Sequence, residues 1–387
     1  MNGPASIRLI EGNATIFGCP LSHRKSIVIK SWRSRPVYSL TDCKIEYTFG
    51  EGGSIEEVEG NTIPSEWLNV SQAISSRDRV TVMVMGASDS GKTSLTTLIC
   101  NSLLLNKKDT VFFDLDLGQS NICSPTTIGY VRLKNPIPDL SYLRAENMDV
   151  VGYTSPTPLV MKHLEVAGNL YRKLRESYPD SSIVIDVDGW ISGEAAIKHK
   201  IELMKILNPD SLLLIGDTIK EVEEYCQENS VEFYKLPPPI TVRKRSLEAR
   251  RKLREMMYER FLRKSILRTI PYSWIELKYV NGETRLSKLS SIINRLITRF
   301  SEENGTIPEG GLEELFKEYR IGVLSYVYDT DYRFVSIGLL TSLNLEKKLL
   351  KIYTPFQQQI KQVVLTSILL SMDGVESYSS PPHQYYD

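Results

Sequence analysis

The 387-residue chain balances 47 Lys and Arg against 47 Asp and Glu for a formal net charge of zero, so any nucleic acid must be held by a local basic patch and not by a global field. At 41 % hydrophobic residues it can fill cores, and its length exceeds one ordinary core, so two or three domains are expected. No apolar run reaches membrane-spanning length, MNGPASIRLIEGN lacks a secretory pattern, and five scattered cysteines without C-x-x-C exclude a disulfide framework and a zinc site. These features predict a soluble protein of a reducing interior, cytoplasmic, or nuclear in a eukaryotic source.

In chain order, short apolar runs at Ser6 to Ile10, Ala14 to Phe17, Ser26 to Lys30, Val37 to Ser39 and Lys44 to Phe49 alternate with Gly and Pro turns. They predict a small β domain over residues 1–72 that serves packing or docking, with polar Ser71 to Asp78 as the link onward. Val80 to Met85 is a β-branched run that meets Gly86, and Gly86 to Thr93 fits G-x-x-x-x-G-K-[ST]. An amphipathic segment with Leu95, Leu98, Ile99 and Leu103 on one face follows, which makes strand, phosphate loop and helix. Gly86, Ala87, Ser88, Asp89, Ser90, Gly91, Lys92, Thr93 and Ser94 are the expected nucleotide-binding residues. The two glycines let the backbone curl its N–H groups toward phosphate, Lys92 reaches the β- and γ-phosphates, and the Thr93 hydroxyl ligates magnesium.

Next, Val111 to Phe113 reads as a buried strand, with Asp114, Asp116 and Gln119 at its carboxyl end, where open parallel sheets place ligands. Asp116 is the first choice for a general base and shares magnesium contacts with Asp114, although an aspartate there also reads as a turn cap. Gly152 to Pro158 is a rigid loop that could touch substrate, and the helix after it carries His163, read as a surface or core histidine. Ser181 to Val187 is a buried strand that ends in Asp188-Gly189-Trp190. Trp190 reads either as a stacking platform for a base or as a lid on the core. Ser211 to Gly216 adds a strand. Positive charge concentrates in VRKRSLEARRKLREMMYERFLRK, where Leu253, Met257 and Phe261 mark a buried helix face and Arg250 and Arg254 share another, with Arg245 just before. That helix reads as a phosphoryl-transfer lid, a solvated face or a targeting signal. Beyond Trp274 a helix with Leu286, Leu289, Ile293, Leu296 and Phe300 precedes EENGTIPEGG, strand-like runs at Ile321 to Tyr328, Phe334 to Leu340, Leu349 to Tyr353 and Val363 to Leu370, and an unanchored tail. The fold class is therefore α/β: a phosphate-loop parallel sheet flanked by helices over residues 73–275, between small β-rich domains at 1–72 and 276–387.

GASDSGKT, DLDLGQ, YTSPTP, DGW and RSLEARRKLR together resemble the polynucleotide 5′-hydroxyl kinases, which include RNA kinases of pre-mRNA cleavage and of ribosomal RNA processing and archaeal relatives. IEGNATIFGCPL is similar to that family's opening β domain. The resemblance implies that Asp116 and Gln119 stand for the D-x-x-Q pair, with Asp116 activating the 5′-hydroxyl, and that Trp190 stacks on the terminal base. It implies that Arg245, Arg250 and Arg254 are lid arginines, Arg250 stabilising the transition state. It puts Thr154 and Ser155, and Ser124 to Thr127, in loops that grip the substrate strand. Asp188 departs from the family's glycine-rich approach to the tryptophan and brings an extra carboxylate. The implied activity is magnesium-dependent transfer of phosphate from ATP or GTP to the 5′-hydroxyl end of RNA, single-stranded or duplex, or DNA, among RNA-processing partners and at no membrane. The rival readings are a nucleotide-holding scaffold subunit and a phosphate-loop switch, the latter without an N-K-x-D for base selection.

Overall fold

The computed structural model describes residues 1–241, 244–280, 282, 285–305 and 311–381. Its centre is a seven-stranded sheet in the order Glu232–Leu236, Ser211–Ile215, Thr81–Gly86, Ser182–Asp186, Thr110–Asp114, Thr127–Leu133, Asn147–Val150. The first five strands are parallel, and all but the edge strand Glu232–Leu236 are apolar runs buried along their whole length, as helices on both faces of a parallel sheet require. The last two run antiparallel. The sequence reading has the parallel part and a strand end at Val150 and Val151, but no strand at Thr127–Leu133.

The predicted face of the phosphate-loop helix, Lys92–Leu105, is buried, but so are Thr96, Thr97, Cys100 and Asn101 on its other sides. The N-terminal domain covers it: Asn101 Nδ2 donates to Phe17 O at 2.8 Å. That domain is a three-stranded antiparallel sheet, Ile27–Ile29, Ala5–Glu11 and Lys44–Phe49, with a small hairpin of Thr15–Ile16 and Cys19–Pro20. The strand expected at Val37 to Ser39 reduces to one bridge between Thr15 and Tyr38. Its core is not separate, since Ile7, Leu9 and Ile16 belong to one cluster with Val82, Leu98 and Phe112 of the central domain. The link expected at Ser71 to Asp78 is corrected: Ser65–Ser75 is a helix that buries Trp67, Val70 and Ile74, a helical spacing that its serines obscure.

The C-terminal sheet has the order Ile266–Pro271, Leu349–Thr354, Phe334–Asn344, Ile321–Tyr328, Gln362–Ser371, Glu276–Tyr279, with Glu376–Ser379 added to Gln362–Ser371. All four strand-like runs are present. The boundary expected at 275 moves back, because Ile266–Pro271 pairs with Leu349–Thr354. The expected helix is Leu286–Asn304, and a second, unpredicted helix is Gly311–Tyr319. Residues 306–310 of the EENGTIPEGG stretch and 382–387 of the tail lie outside the described residues. The basic helix is Leu247–Leu262, capped by Ser246, whose Oγ accepts from the Ala249 N–H. Its Tyr258 and Phe261 join Val150 to Leu324 and Leu339, tying central and C-terminal domains together. Among the described residues no helix is long and apolar enough to cross a membrane.

Candidate active site

A cleft of about 1900 Å³ opens at the carboxyl ends of the parallel strands, walled by the phosphate loop, the N-terminal domain and the basic helix. The loop needs its glycine at Gly91, which sits at φ +102°, a left-handed conformation, where an added Cβ would also stand 2.9 Å from the Trp67 ring. Ser88, Asp89, Gly91, Lys92, Thr93 and Ser94 line the cleft; Gly86, Ala87 and Ser90 complete the turn behind them. Lys92 is 7 % exposed and its Nζ donates to Ala87 O at 2.9 Å.

Thr93 Oγ1 donates to Asp186 Oδ2 at 2.7 Å. Asp186 Oδ1 and Ser90 Oγ are buried without a hydrogen-bond partner among the described residues. A threonine hydroxyl backed by a carboxylate with one orphaned oxygen fits a hydrated divalent cation. Burial raises the Asp186 carboxyl above the ordinary range, with Lys92 opposing. Sequence reasoning missed Asp186, although an apolar run ending in Asp, on the strand beside the phosphate-loop strand, is a legible sign of it.

The magnesium role expected for Asp114 is corrected. Asp114 is fully buried, its Oδ1 accepts from Asp116 N and its Oδ2 from Ser120 Oγ and Asn121 N, so it braces the turn as the capping reading held. Asp116 is different. Its Oδ1 is anchored by the N–H groups of Gly118 and Gln119 at 3.0 and 2.9 Å, and Oδ2 has no hydrogen-bond partner among the described residues. Burial and neighbouring Asp188 raise its pKa, while Lys92 opposes them. The carboxylate thus faces the same cleft as the phosphate-loop lysine.

Arg245, Arg250 and Arg254 all line the cleft. Arg250 Nη2 lies 2.7 Å from Asp89 Oδ2, and Arg245 meets the same carboxylate through its N–H at 3.1 Å and its guanidinium at 3.5 Å. Arg254 differs from the expectation: its guanidinium is committed to Glu376 at 2.9 and 3.0 Å, so it anchors the helix to the C-terminal sheet. Gln119 Nε2 donates to the Arg250 carbonyl at 3.1 Å, joining the Asp116 turn to the basic helix. Trp190 is half-buried on the cleft wall, and Thr154 and Ser155 also face it. Ser124 to Thr127 do not, because all of them are buried, and Thr126 Oγ1 accepts from Tyr326 OH at 2.8 Å. Asp188 forms a 2.6 Å ion pair with buried Lys200; burial is the largest single influence and raises its carboxyl, but Lys200, His163 and the Trp190 backbone N–H together keep it below its ordinary range. The N-terminal domain, expected only to pack or dock, adds Trp32, Arg33 and Tyr38 to the wall.

Residues 86–264 match the family model described as mRNA cleavage and polyadenylation factor CLP1 P-loop, and residues 1–80 the N-terminal beta-sandwich domain of polyadenylation factor. The chain is similar to the protein CLP1 homolog of Anopheles gambiae, at 22 % identity over 96 % of this chain and 93 % of that one. It is also similar to a polyribonucleotide 5′-hydroxyl-kinase of Methanocaldococcus jannaschii, at 24 % identity over 76 % and 88 %. The solved structure of the wild-type Clp1p–Pcf11p complex shares the fold, with a TM-score of 0.66, 14 % identity and coverage of 95 % and 93 %. The phosphate loop, the basic helix and the opening β domain are thus those of the polynucleotide 5′-hydroxyl kinase family that includes CLP1, and the chain belongs to it.

Proposed function

We propose that the chain transfers the γ-phosphoryl group of ATP or GTP to the 5′-hydroxyl end of RNA. The observation that carries the reading is the convergence of Asp116, with one unengaged carboxylate oxygen, and Lys92 in one cleft that also holds Trp190. Lys92 exchanges its bond to Ala87 O for the β- and γ-phosphates, and the loop N–H groups hold the remaining charge. Asp116 accepts the proton of the 5′-hydroxyl; a carboxyl raised above its ordinary range is the better acceptor. Arg250 and Arg245 turn from Asp89 to the transferred group and neutralise its developing charge. Thr93, with Asp186 behind it, would hold the magnesium ion, which when bound supplies charge neutralisation at the phosphate oxygens. Trp190 stacks on the terminal base, and Thr154, Ser155 and Gln119 flank the entering strand.

Mixing γ-labelled ATP or GTP, magnesium and a 5′-hydroxyl oligoribonucleotide with the protein tests this. Label should pass to the RNA, and Lys92→Ala and Asp116→Asn should each abolish it. Nucleotide that is bound and retained would instead indicate a scaffold, and free phosphate without labelled RNA a switch. An RNA-processing partner, as Pcf11p is to Clp1p in the solved complex, belongs to the same reading and would appear on co-purification.

A further inference from the structure

Beneath Trp190 lies a buried cluster that the transfer reaction does not use. Lys200, on the helix Glu194–Leu207, is fully buried, and its Nζ donates to Asp188 Oδ2 at 2.6 Å. Asp188 Oδ1 in turn accepts the Trp190 N–H at 2.8 Å. His199 presents its ring to the indole at 5.5 Å between centroids, and His163 stacks behind it with a nitrogen–nitrogen separation of 2.9 Å. On the other side Gly189 lies flush on the phosphate loop, where an added Cβ would come within 2.3 Å of Ser88 Oγ and 2.6 Å of Ser88 N. The Asp188 to Trp190 segment lies between the phosphate loop and the ion pair.

An indole that only covered a core would need no buried ammonium below it, since burying a charge is costly even when it is paired. His163, Asp188 and His199 also have the spacing of metal ligands. The Lys200 ammonium, on Asp188 and 3.5 Å from His199 Nδ1, already supplies the positive charge there.

We propose that Lys200, acting through Asp188, is the positioning residue that fixes the height of the Trp190 indole over the phosphate loop. It thereby sets the register of the 5′-terminal nucleotide of the polynucleotide to be phosphorylated. This rests on the reading that the cleft takes a 5′-hydroxyl polynucleotide. A base stacks on an indole whatever its identity, so the height of the ring, and not base-specific contacts, decides where the attached 5′-hydroxyl falls relative to Asp116.

The test compares two oligoribonucleotides that differ only in whether the 5′-terminal nucleotide carries its base or is abasic. The wild-type protein should use the intact one with a kcat/KM at least about tenfold higher, and Trp190→Ala should remove the difference. Lys200→Met should reduce the preference to about twofold or less, mainly through KM for the intact strand, with the abasic rate and the nucleotide Kd within twofold of wild type. The double variant Asp188→Asn with Lys200→Met leaves no unpaired buried charge, so it decides the matter if the single variant does not fold; it should lose the preference equally. Wild-type preference in the folded double variant overturns the proposal. A wild-type protein that labels neither strand, or both equally, overturns the reading of the cleft or of Trp190, and the proposal with it.

Discussion

In the proposed reaction, Asp116 and Asp186 have separate roles. Asp116 keeps one oxygen toward the cleft, so Asp116→Asn should lower the turnover of 5′-hydroxyl RNA by about 10²- to 10⁴-fold while nucleotide binding by equilibrium dialysis is unchanged. Asp186 bonds Thr93 behind the cleft wall, so Asp186→Asn should instead raise the magnesium concentration needed for half-maximal rate by roughly 10- to 100-fold, read from a metal titration. The phosphate loop and the place of Asp116 on the cleft wall were legible because each is a local pattern. Asp114 was misread because the strand ends there, and past its end the regular alternation that would place residues 114 and 116 on one face no longer holds. Lys200 could not have been found, since its partner Asp188 is 12 positions away and across a strand-to-helix turn.

The basic helix is held along its length: Ser246 caps its start, Asp89 of the phosphate loop holds Arg245 and Arg250, Glu376 holds Arg254, and Arg260 near its end donates to Ser141 O and Leu143 O. Arg250→Ala should reduce kcat by about 10²- to 10³-fold, because the charge developing in the transition state loses its partner while Asp89 keeps Arg245. Arg254 and Glu376 should behave as one unit. In a double-mutant cycle by denaturant titration, Arg254→Ala and Glu376→Ala should couple by about 0.5–3 kcal/mol. The buried face of this helix was readable from Leu253, Met257 and Phe261. What its arginines touch was not, because Glu376 arrives from a strand more than a hundred residues later.

Across the whole molecule, His163 and His199 are held neutral in the interior, burial lowering them to about 4 and about 3. The unfolded chain takes up protons near pH 6.5 and the folded one does so only below these values, so stability is full above about pH 6.5 and falls as the pH drops toward 4. Urea unfolding at pH 5 should show a loss of about 2 kcal/mol per imidazole relative to pH 7, and His163→Phe should lessen that dependence. Domain order was largely legible from composition and spacing. The partition into three cores was not, since residues that fill one cluster come from both sides of each expected boundary.

Because one buried cluster joins the opening β domain to the central sheet and another joins the central domain to the closing sheet, the chain should melt as a single cooperative body. A triphosphate held in the central cleft would then raise the unfolding temperature at every reporter alike. Trp32 in the opening β domain and Trp274 beside the closing sheet should fade at the same degree, with or without nucleotide, and a split between them would mean that the shared interior does not hold.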